Sequence, residues 1–434
     1  MGSDPEDGAK VVFVSGVRGD TRRYRSAHPY EQLRLHGIPA ALSHVTDPNL
    51  PALIADARAV VFHRVACDGY ITRLIDRARS TGALILFDAD DLTFDQSAFQ
   101  WIDSPDFQDP IRAALYQEDM RRNQATLKLC DAATASTEFL AARIERLGIP
   151  SRVHRNAFSL KMLAAADLAL SQKPPSGEHF VLGYASGTPT HNRDFASIRP
   201  ALQEALRQHP QAELRLVGAL DPGDGWEGAG ERIRLFPLVP WEQLPQILAE
   251  INLNLAPLVA DNPFAQSKSE IKFVESGLVE VPTIATPVEA FRQAISPGRN
   301  SFLASMPEEW SALIERCILD RELCRTLGAQ ARTDVLQNYH PSLRGTQLIT
   351  ILDQLSLGVR GKTLGLAEID SQPHLGELDS HLTMLEDPSL RELAWYSFRH
   401  RGPGTLLRRE WVYFRRLVSP LFPFKSVRES VKGG

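Results

Sequence analysis

The chain alternates short apolar runs with longer stretches in which apolar residues recur every three or four positions. Residues 59–63 and 132–135 are almost entirely apolar, which predicts strands buried on both faces of a sheet. Residues 70–80 carry the spacing of an amphipathic helix, and residues 110–129 are predicted to form a long helix. Strands that alternate with helices in this way predict parallel sheets covered by helices on both faces.

The predicted elements fall into two groups along the chain. The first group has strands at 10–15, 59–63, 83–88 and 132–135, with helices at 23–36, 70–80, 110–129 and 138–147. The second has strands at 180–185, 213–217, 233–236, 253–256 and 283–285, with helices between them, and residues 311–357 are mostly helical. We therefore predict an α/β protein with two doubly wound domains in tandem and a helical C-terminal extension.

The boundaries follow from changes in composition. We place the first domain at 1–165, a linker at 166–178, the second domain at 179–345 and the extension at 346–434. Ligands of doubly wound sheets bind at the carboxyl ends of the strands. Two such domains facing each other predict a binding site in the cleft between them.

Composition narrows the class of protein. The 434 residues exceed one ordinary core, and a net charge of −5 argues against a nucleic-acid-binding protein. The polar, acidic N-terminal segment is unlike a signal peptide, and no apolar run approaches the ~18 residues of a membrane span. Four cysteines without CxxC spacing, Cys67, Cys130, Cys317 and Cys324, predict reduced core residues. We expect a cytoplasmic location.

The end of the chain differs from the rest. Eight Lys or Arg residues and one acidic residue lie between Arg399 and Arg428, interleaved with aromatic residues. This composition predicts peripheral association with an anionic membrane surface, here the inner face. A helix that packs back on the domains with a solvated basic face explains the pattern equally well.

The segment 262–286 carries the strongest chemical signal. If one helix contains Lys268, Lys272 and Glu275, the three side chains lie on the same face. Two lysines at this spacing repel each other, and near a helix start an anion such as a diphosphate would stabilise them. The alternative is a solvated face with a Lys272–Glu275 pair.

A second candidate phosphate contact follows the first strand of the second domain. Gly187 and Thr188 form a predicted turn whose amides can face a phosphate, and Arg193 opens the next helix as a bidentate donor. The loop is not a GxGxxG motif. It would line the same edge of the cleft as the two lysines.

An acidic cluster ends a strand of the first domain. Asp88, Asp90 and Asp91 could hold a divalent cation against a diphosphate, or bind a sugar or a basic side chain without metal. The phosphate-binding features lie in the other domain, and we therefore expect no metal. His63, at the end of the preceding strand, is a further acceptor-side candidate, with an ordinary structural histidine as the alternative.

These residues resemble a known family. Residues 180–330 are similar to the nucleotide-sugar-binding half of the family-four retaining glycosyltransferases, which have two facing Rossmann-like domains (GT-B architecture). The matching segments are "GYASGTPTHNRDF", "LRLVG", "VPWEQLP", "NLNLAPL", "NPFAQSKSEIKFVESGLVEVPTIAT" and "NYH". They resemble a branch found in bacterial surface-polysaccharide assembly. "RYRSAHPYEQLRLHG" and "FDADDLTF" extend the resemblance to the first half, and nothing after about residue 345 is covered.

The resemblance implies roles for individual residues. Glu275 matches the second glutamate of the family's Glu-x7-Glu motif, which binds the donor ribose, whereas Ser267 replaces the first glutamate. We expect Lys268 and Lys272 to take over the diphosphate contacts of the family's basic pair, with Arg193 helping. On the acceptor side the strand ends in Asp88 and Asp90 where a catalytic histidine is common, and we expect both aspartates to position the acceptor.

The resemblance implies a hexosyltransferase that moves a sugar from a nucleotide-diphosphate sugar to a glycan or lipid-linked acceptor with retention of configuration. The first domain would bind the acceptor, and the nucleotide sugar would be a substrate, with no cofactor. One alternative is a nucleotide-sugar epimerase on the same fold. Another is a non-catalytic glycan-binding or scaffold protein, which the loss of the first glutamate motivates.

Overall fold

The first half of the chain forms a parallel six-stranded sheet in the computed structural model, which describes residues 10–173, 177–369 and 387–404. Its strands are β1 (Val11–Ser15), β2 (Ala40–His44), β3 (Ala59–His63), β4 (Leu84–Ala89), β5 (Ala132–Ala135) and β6 (Ser151–Val153), in the spatial order β2-β1-β3-β4-β5-β6. Neighbouring strands are all parallel.

A second parallel six-stranded sheet follows. Its strands are β7 (Phe180–Ser186), β8 (Ala212–Gly218), β9 (Ile233–Phe236), β10 (Leu253–Ala256), β11 (Thr283–Ala285) and β12 (Phe302–Leu303), in the order β12-β11-β10-β7-β8-β9. The predicted fold class, two doubly wound domains with a helical C-terminal part, is confirmed. Three strands were not predicted from the sequence, β2, β6 and β12, and each of them is an edge strand.

Helices cover both faces of each sheet. In the first half they are α1 (Asp20–Arg22), α2 (His28–Arg34), α3 (Leu50–Leu53), α4 (Gly69–Ser80), α5 (Pro110–Leu129), α6 (Glu138–Glu145) and α7 (Leu160–Ser171). In the second half they are α8 (Asn192–Gln208), α9 (Leu244–Ala249), α10 (Pro263–Gln266), α11 (Ile271–Leu278), α12 (Glu289–Ala294), α13 (Pro307–Leu319), α14 (Arg321–Tyr339), α15 (Pro341–Arg360) and α16 (Leu390–Arg401). A π-helical turn, Arg23–Ala27, joins α1 to α2.

The central strands of the first sheet are almost entirely apolar because a hydrophobic core lies on each face of the sheet. Val12 and Val14 of β1 belong to one core, whereas Val11 and Phe13 belong to the other. Successive side chains of a strand point to opposite faces, so a strand that is covered on both sides must be apolar at every position.

The chain passes between the domains as a packed helix. Residues 166–178, expected to be a linker, include the last turns of α7, and Met162, Ala166 and Ala169 of this helix lie in the core of the second domain. An alanine-rich sequence is a good helix former, and the apolar surface of the second domain gives it a place to pack.

Helix α15 returns from the second domain to the first. Its residues Leu348 and Leu352 join the core that contains Phe13. A Cβ atom on Gly345 would lie 2.6 Å from the carbonyl oxygen of Gln32, so the close approach of α15 to α2 requires glycine at this position.

The described part of the extension packs on the first domain. Tyr396 of α16 is 6% exposed and belongs to the main core of that domain. Among the described residues, no helix combines the length and apolarity that crossing a bilayer requires. The predicted basic tail beyond residue 404 lies outside the described residues.

Candidate functional site

Several side chains bridge the cleft between the two domains. Asp91, just after β4, accepts hydrogen bonds from the Lys268 ammonium at 2.7 Å and from the Ser267 hydroxyl at 2.9 Å. Asn262 donates to the carbonyl oxygen of Trp101 at 2.9 Å. These contacts join the carboxyl edge of the first sheet to the loop before α11 and hold the cleft closed.

A cavity of about 70 Å³ remains between the domains. Its walls include Asp91 and Tyr116 from the first domain and His191, Asp194 and Lys268 from the second. Pockets for drug-sized ligands typically measure about 300–1,000 Å³. A ligand the size of a nucleotide sugar therefore fits only if the domains move apart.

Lys268 does not lie on the predicted helix that it was expected to share with Lys272 and Glu275. Helix α11 begins at Ile271, and Lys268 lies in the turn that follows α10, where its amide donates to Ala265. The predicted shared helical face of Lys268, Lys272 and Glu275 is therefore not formed. The turn points Lys268 across the cleft to Asp91, which a continuous helix would not have done.

Lys272 lies beneath the predicted phosphate-binding loop. Its ammonium contacts the carbonyl oxygen of Ala185 in β7 and lies 4.4 Å from the centroid of the Tyr184 ring. Burial lowers the pKa of Lys272 to about 8, and Lys268 contributes in the same direction, while Glu275 opposes the shift. A bound anion would stabilise the ammonium and raise this pKa.

The loop after β7 leads into Thr190 and His191, which line the cavity, whereas Gly187 and Thr188 do not line it. Gly187 and Thr188 are exposed, and a Cβ atom on Gly187 would meet nothing within 4 Å, so this turn does not itself require glycine. The Arg193 side chain is 74% exposed, and its Nε lies 3.8 Å from Asp103 of the first domain. Arg193 therefore faces the opposite wall of the cleft.

The structure adds His191, which the sequence analysis did not single out. Its Nδ1 lies 2.8 Å from a carboxylate oxygen of Asp194, whose other oxygen accepts the amide of Val259. A carboxylate only accepts, so Nδ1 carries the proton and Nε2 is left as an acceptor. Burial lowers the pKa of His191, and Asp194 opposes this, so the ring is neutral near pH 7. In the sequence, the sign of this pair is the His-x-x-Asp spacing at the start of a predicted helix.

Glu275 lies in a separate crevice at the domain boundary. The Tyr24 hydroxyl of the first domain donates to it at 2.5 Å, and an Arg23 nitrogen lies 4.0 Å away. Burial raises the pKa of Glu275, while Arg23 works to lower it. Glu275 is thus held by a cross-domain contact and does not line the cavity that contains Lys268.

Asp88 differs most from its expected acceptor-side role. It is 3% exposed, and both carboxylate oxygens accept from the Arg25 guanidinium, at 2.8 and 2.6 Å. His63 lies at 3.2 Å and the Thr134 hydroxyl donates at 2.6 Å. Neither oxygen is left for a substrate, so Asp88 holds the first domain together. His63 has the structural role that was its alternative.

Asp90 is also engaged within the first domain. Its carboxylate accepts from Nε of Arg64 at 2.6 Å, and its side chain is 11% exposed. Asp91, in contrast, is the aspartate that reaches the cleft. Burial tends to raise the pKa of Asp91, but Lys268 and Arg64 outweigh burial and lower it. The closed cleft therefore favours the charged form of Asp91.

Across residues 10–173, 177–369 and 387–404, no group of three or more His, Cys, Asp or Glu side chains is arranged to hold a metal ion. Asp88 on β4 pairs with Arg25, whereas Asp90 and Asp91 share Arg64 and Asp91 also pairs with Lys268.

Comparison with known proteins agrees with this architecture. Residues 197–350 match the model of a family described as glycosyl transferase-like. A search of curated protein sequences gave no significant match. The family match covers most of the second domain and the first half of α15, and it confirms the predicted resemblance to glycosyltransferases.

Solved structures share the fold over most of the chain. HepE of Anabaena, crystallised with UDP and glucose, aligns with a TM-score of 0.53 at 14% identity over 80% of this chain and 100% of its own. Sucrose-phosphate synthase of Thermosynechococcus elongatus aligns with a TM-score of 0.54 at 17% identity over 80% of this chain and 100% of its own. A glycosyltransferase of Rickettsia africae aligns with a TM-score of 0.54 at 13% identity over 80% of this chain and 98% of its own. The predicted two-domain fold is confirmed.

Proposed function

We propose that the protein is a glycosyltransferase that uses a nucleotide-diphosphate sugar as donor and binds it in the cleft between the domains. The observation that carries the proposal is the position of Lys268 and Lys272. One crosses the cleft and the other lies under the loop after β7, at the carboxyl edge of the second sheet. The glycosyl transferase-like family match over residues 197–350 supports the same reaction class.

The two lysines suit a reaction in which negative charge builds up on a leaving diphosphate. When the bond between the sugar and the diphosphate breaks, that charge must be stabilised, and fixed cations in a closed, dry site do so effectively. Lys268 would exchange Asp91 for the diphosphate as the cleft opens and the donor enters. The anion would stabilise the Lys272 ammonium and raise its pKa, and Arg193 would approach from the rim.

Two other side chains are suited to orienting the donor. The Nε2 acceptor of His191 can receive a hydrogen bond from a sugar hydroxyl, because Asp194 fixes the tautomer. Glu275 would bind the ribose, as the resemblance implies, once it exchanges the Tyr24 hydroxyl for ribose hydroxyls. The exchange at Glu275 also requires the domains to separate.

The finer assignments rest on the sequence motifs. Retention of configuration, transfer of a hexose, a glycan or lipid-linked acceptor and a place in surface-polysaccharide synthesis are the properties of the branch that the motifs resemble. The HepE structures contain UDP with glucose and UDP-glucose, which makes UDP-hexoses the first donors to test. We expect no metal requirement, since lysines supply the positive charge.

The direct test is to incubate the protein with a panel of nucleotide sugars in excess chelator and to follow release of free nucleoside diphosphate. Lys268→Ala and Lys272→Ala should each lower turnover by about 10²-fold, since removal of one group that stabilises transition-state charge typically costs about 10²–10³ in kcat. Lys362→Ala is the matched control, because this exposed lysine lies far from the cleft. It follows α15, and Arg360 at the end of α15 contacts the Ala83 carbonyl at the amino end of β4. Wild-type turnover in either cleft variant, at unchanged melting temperature, would contradict the proposal.

A second candidate is a non-catalytic protein that binds a nucleotide sugar or glycan. The observation that favours it is Ser267, which stands in place of a family glutamate and is 0% exposed. Its single hydroxyl hydrogen is shared between Asp91 and the Phe264 carbonyl oxygen. Binding of a nucleotide sugar without turnover in the presence of candidate acceptors would favour this function.

A further inference from the structure

The outer face of α16 carries an exposed aromatic pair. Trp395 is 61% exposed and Phe398 is 45% exposed, and their rings stack with centroids 5.9 Å apart. Arg391 and Arg399 on the same helix are also exposed. At 3.6 residues per turn, these four side chains lie within an arc of about 100°. We call these four residues the Trp395 face.

The opposite face of α16 is fixed to the first domain. The Tyr396 hydroxyl donates to Asp68 at 2.9 Å, and the His400 ring stacks on Tyr70 at 4.4 Å. Ser389 and Glu392 form a capping box that defines the start of the helix. The helix is therefore held in place by one side, and the exposure of the Trp395 face follows from this docking.

Helix α16 and the segment before it lie at the carboxyl edge of the first sheet. Asp387 accepts from the Gly19 amide at 2.9 Å, and Gly19 follows β1. Asp68, the partner of Tyr396, follows β3. The carboxyl ends of these strands also border the cleft, so the Trp395 face lies on the side of the molecule where the first domain meets its ligand.

We propose that the Trp395 face is a docking surface for an anionic lipid bilayer. Trp and Phe insert at the level of the lipid headgroups, and flanking arginines pair with anionic headgroups while their stems remain in apolar surroundings. Six further Lys or Arg residues between 408 and 428 follow α16 in the sequence of an otherwise acidic protein. Their charge complements an anionic surface and favours a bilayer over a basic or neutral partner.

Docking in this way would hold the carboxyl edge of the first sheet near the bilayer. An acceptor anchored in the membrane could then reach the cleft without leaving it. The docking surface does not depend on the proposed transferase activity, because binding to a bilayer is measured without donor or acceptor.

The test is cosedimentation of the full chain with vesicles of phosphatidylcholine containing about one-third phosphatidylglycerol. Trp395→Ser/Phe398→Ser should weaken the partition coefficient by about tenfold, and Arg391→Gln/Arg399→Gln should do so at low salt but not at about 0.5 M NaCl. Leu235→Ser/Leu238→Ser is the matched control, since these leucines are 63% and 62% exposed on the second domain.

Unchanged melting temperatures of the variants would show that α16 remains docked. Binding equal to wild type in the Trp395→Ser/Phe398→Ser variant would overturn the proposal and assign any binding to residues after 404. Failure of the wild-type chain to bind anionic vesicles would overturn it as well and leave the face to a protein partner. Equal binding to pure phosphatidylcholine would contradict the role of the arginines.

Discussion

The least expected property of a single residue is the lowered pKa of Lys272. The lysine is buried against Tyr184 and the Ala185 carbonyl, and it has no carboxylate within hydrogen-bonding distance among the described residues. Burial disfavours the ammonium, and the pKa falls to about 8. This arrangement is costly without a ligand and becomes favourable when an anion binds, which is typical of a functional site.

The activity should therefore depend on pH through Lys272. As pH rises through about 8 the free protein loses the ammonium, so kcat/KM for the donor should fall tenfold per pH unit above that value, because kcat/KM reports the free enzyme. Lys272→Arg keeps its charge at any accessible pH and should abolish this alkaline limb. A wild-type profile that stays flat to about pH 9.5 would show that the charge of Lys272 is not used.

Neighbouring aspartates have different roles because of the turn that follows β4. Asp88 belongs to the strand and points into the domain, where Arg25 and Thr134 meet it. Asp91 comes after the strand has ended and reaches the second domain. The sequence identified an acidic cluster, but the direction of each carboxylate depends on the geometry of the turn.

At the scale of secondary structure elements, Asp88 ties four segments together. It lies on β4 and contacts Arg25 from the turn before α2, His63 at the end of β3 and Thr134 on β5. Burial opposes its charge, but Arg25 and His63 outweigh burial and lower the pKa of Asp88. Its stabilising effect is therefore complete above the ordinary aspartate pKa of about 4 and is lost as pH falls.

Asp88→Asn should lower the free energy of unfolding at pH 7 by about 3–5 kcal/mol, because it leaves the Arg25 guanidinium buried without its partner. Asp90→Asn is the control: its partner Arg64 keeps Asp91 at 3.7 Å, so a smaller loss is expected. Chemical denaturation monitored by circular dichroism measures both. Equal stability of the two variants would contradict the structural role of Asp88.

The elements that the sequence analysis missed share a physical reason. Strands β2, β6 and β12 lie at sheet edges, are partly exposed or very short, and need no continuous apolar run. The central strands must be apolar on both faces, and each of them was predicted. The last turns of α7 were predicted as a linker because this alanine-rich sequence ends in Lys-Pro-Pro-Ser-Gly. The helix is stabilised by packing on the second domain, and the local sequence carries no sign of that contact.

At the scale of the whole molecule, the domains are closed on each other through the same groups that are proposed to bind the donor. Lys268 is paired with Asp91, and Glu275 with Tyr24. Each of these contacts must break when a diphosphate or a ribose takes its place. The closed form therefore competes with the donor, and Asp91 is the competing anion at Lys268.

Asp91→Asn should strengthen binding of a nucleoside diphosphate such as UDP by about fivefold. The substitution frees Lys268 and removes a carboxylate from beside the diphosphate, an effect on the order of 1 kcal/mol in a partly hydrated cleft. Asp56→Asn, at an exposed position before β3, should leave binding unchanged. Titration calorimetry measures both. Weaker UDP binding by Asp91→Asn would show instead that Asp91 is part of the donor site.

The sequence by itself determined the two doubly wound domains and the segments that line their cleft. Alternation of buried strands and amphipathic helices depends on local composition, and the segments around Gly187 and Lys268 are contiguous in the chain. Only the tertiary structure decided which charged groups meet. Lys268 meets Asp91, Glu275 meets Tyr24 and Asp68 meets Tyr396 across 177, 251 and 328 residues, respectively. Such pairs leave no mark in local sequence, because their partners are brought together only when the two domains and the extension pack.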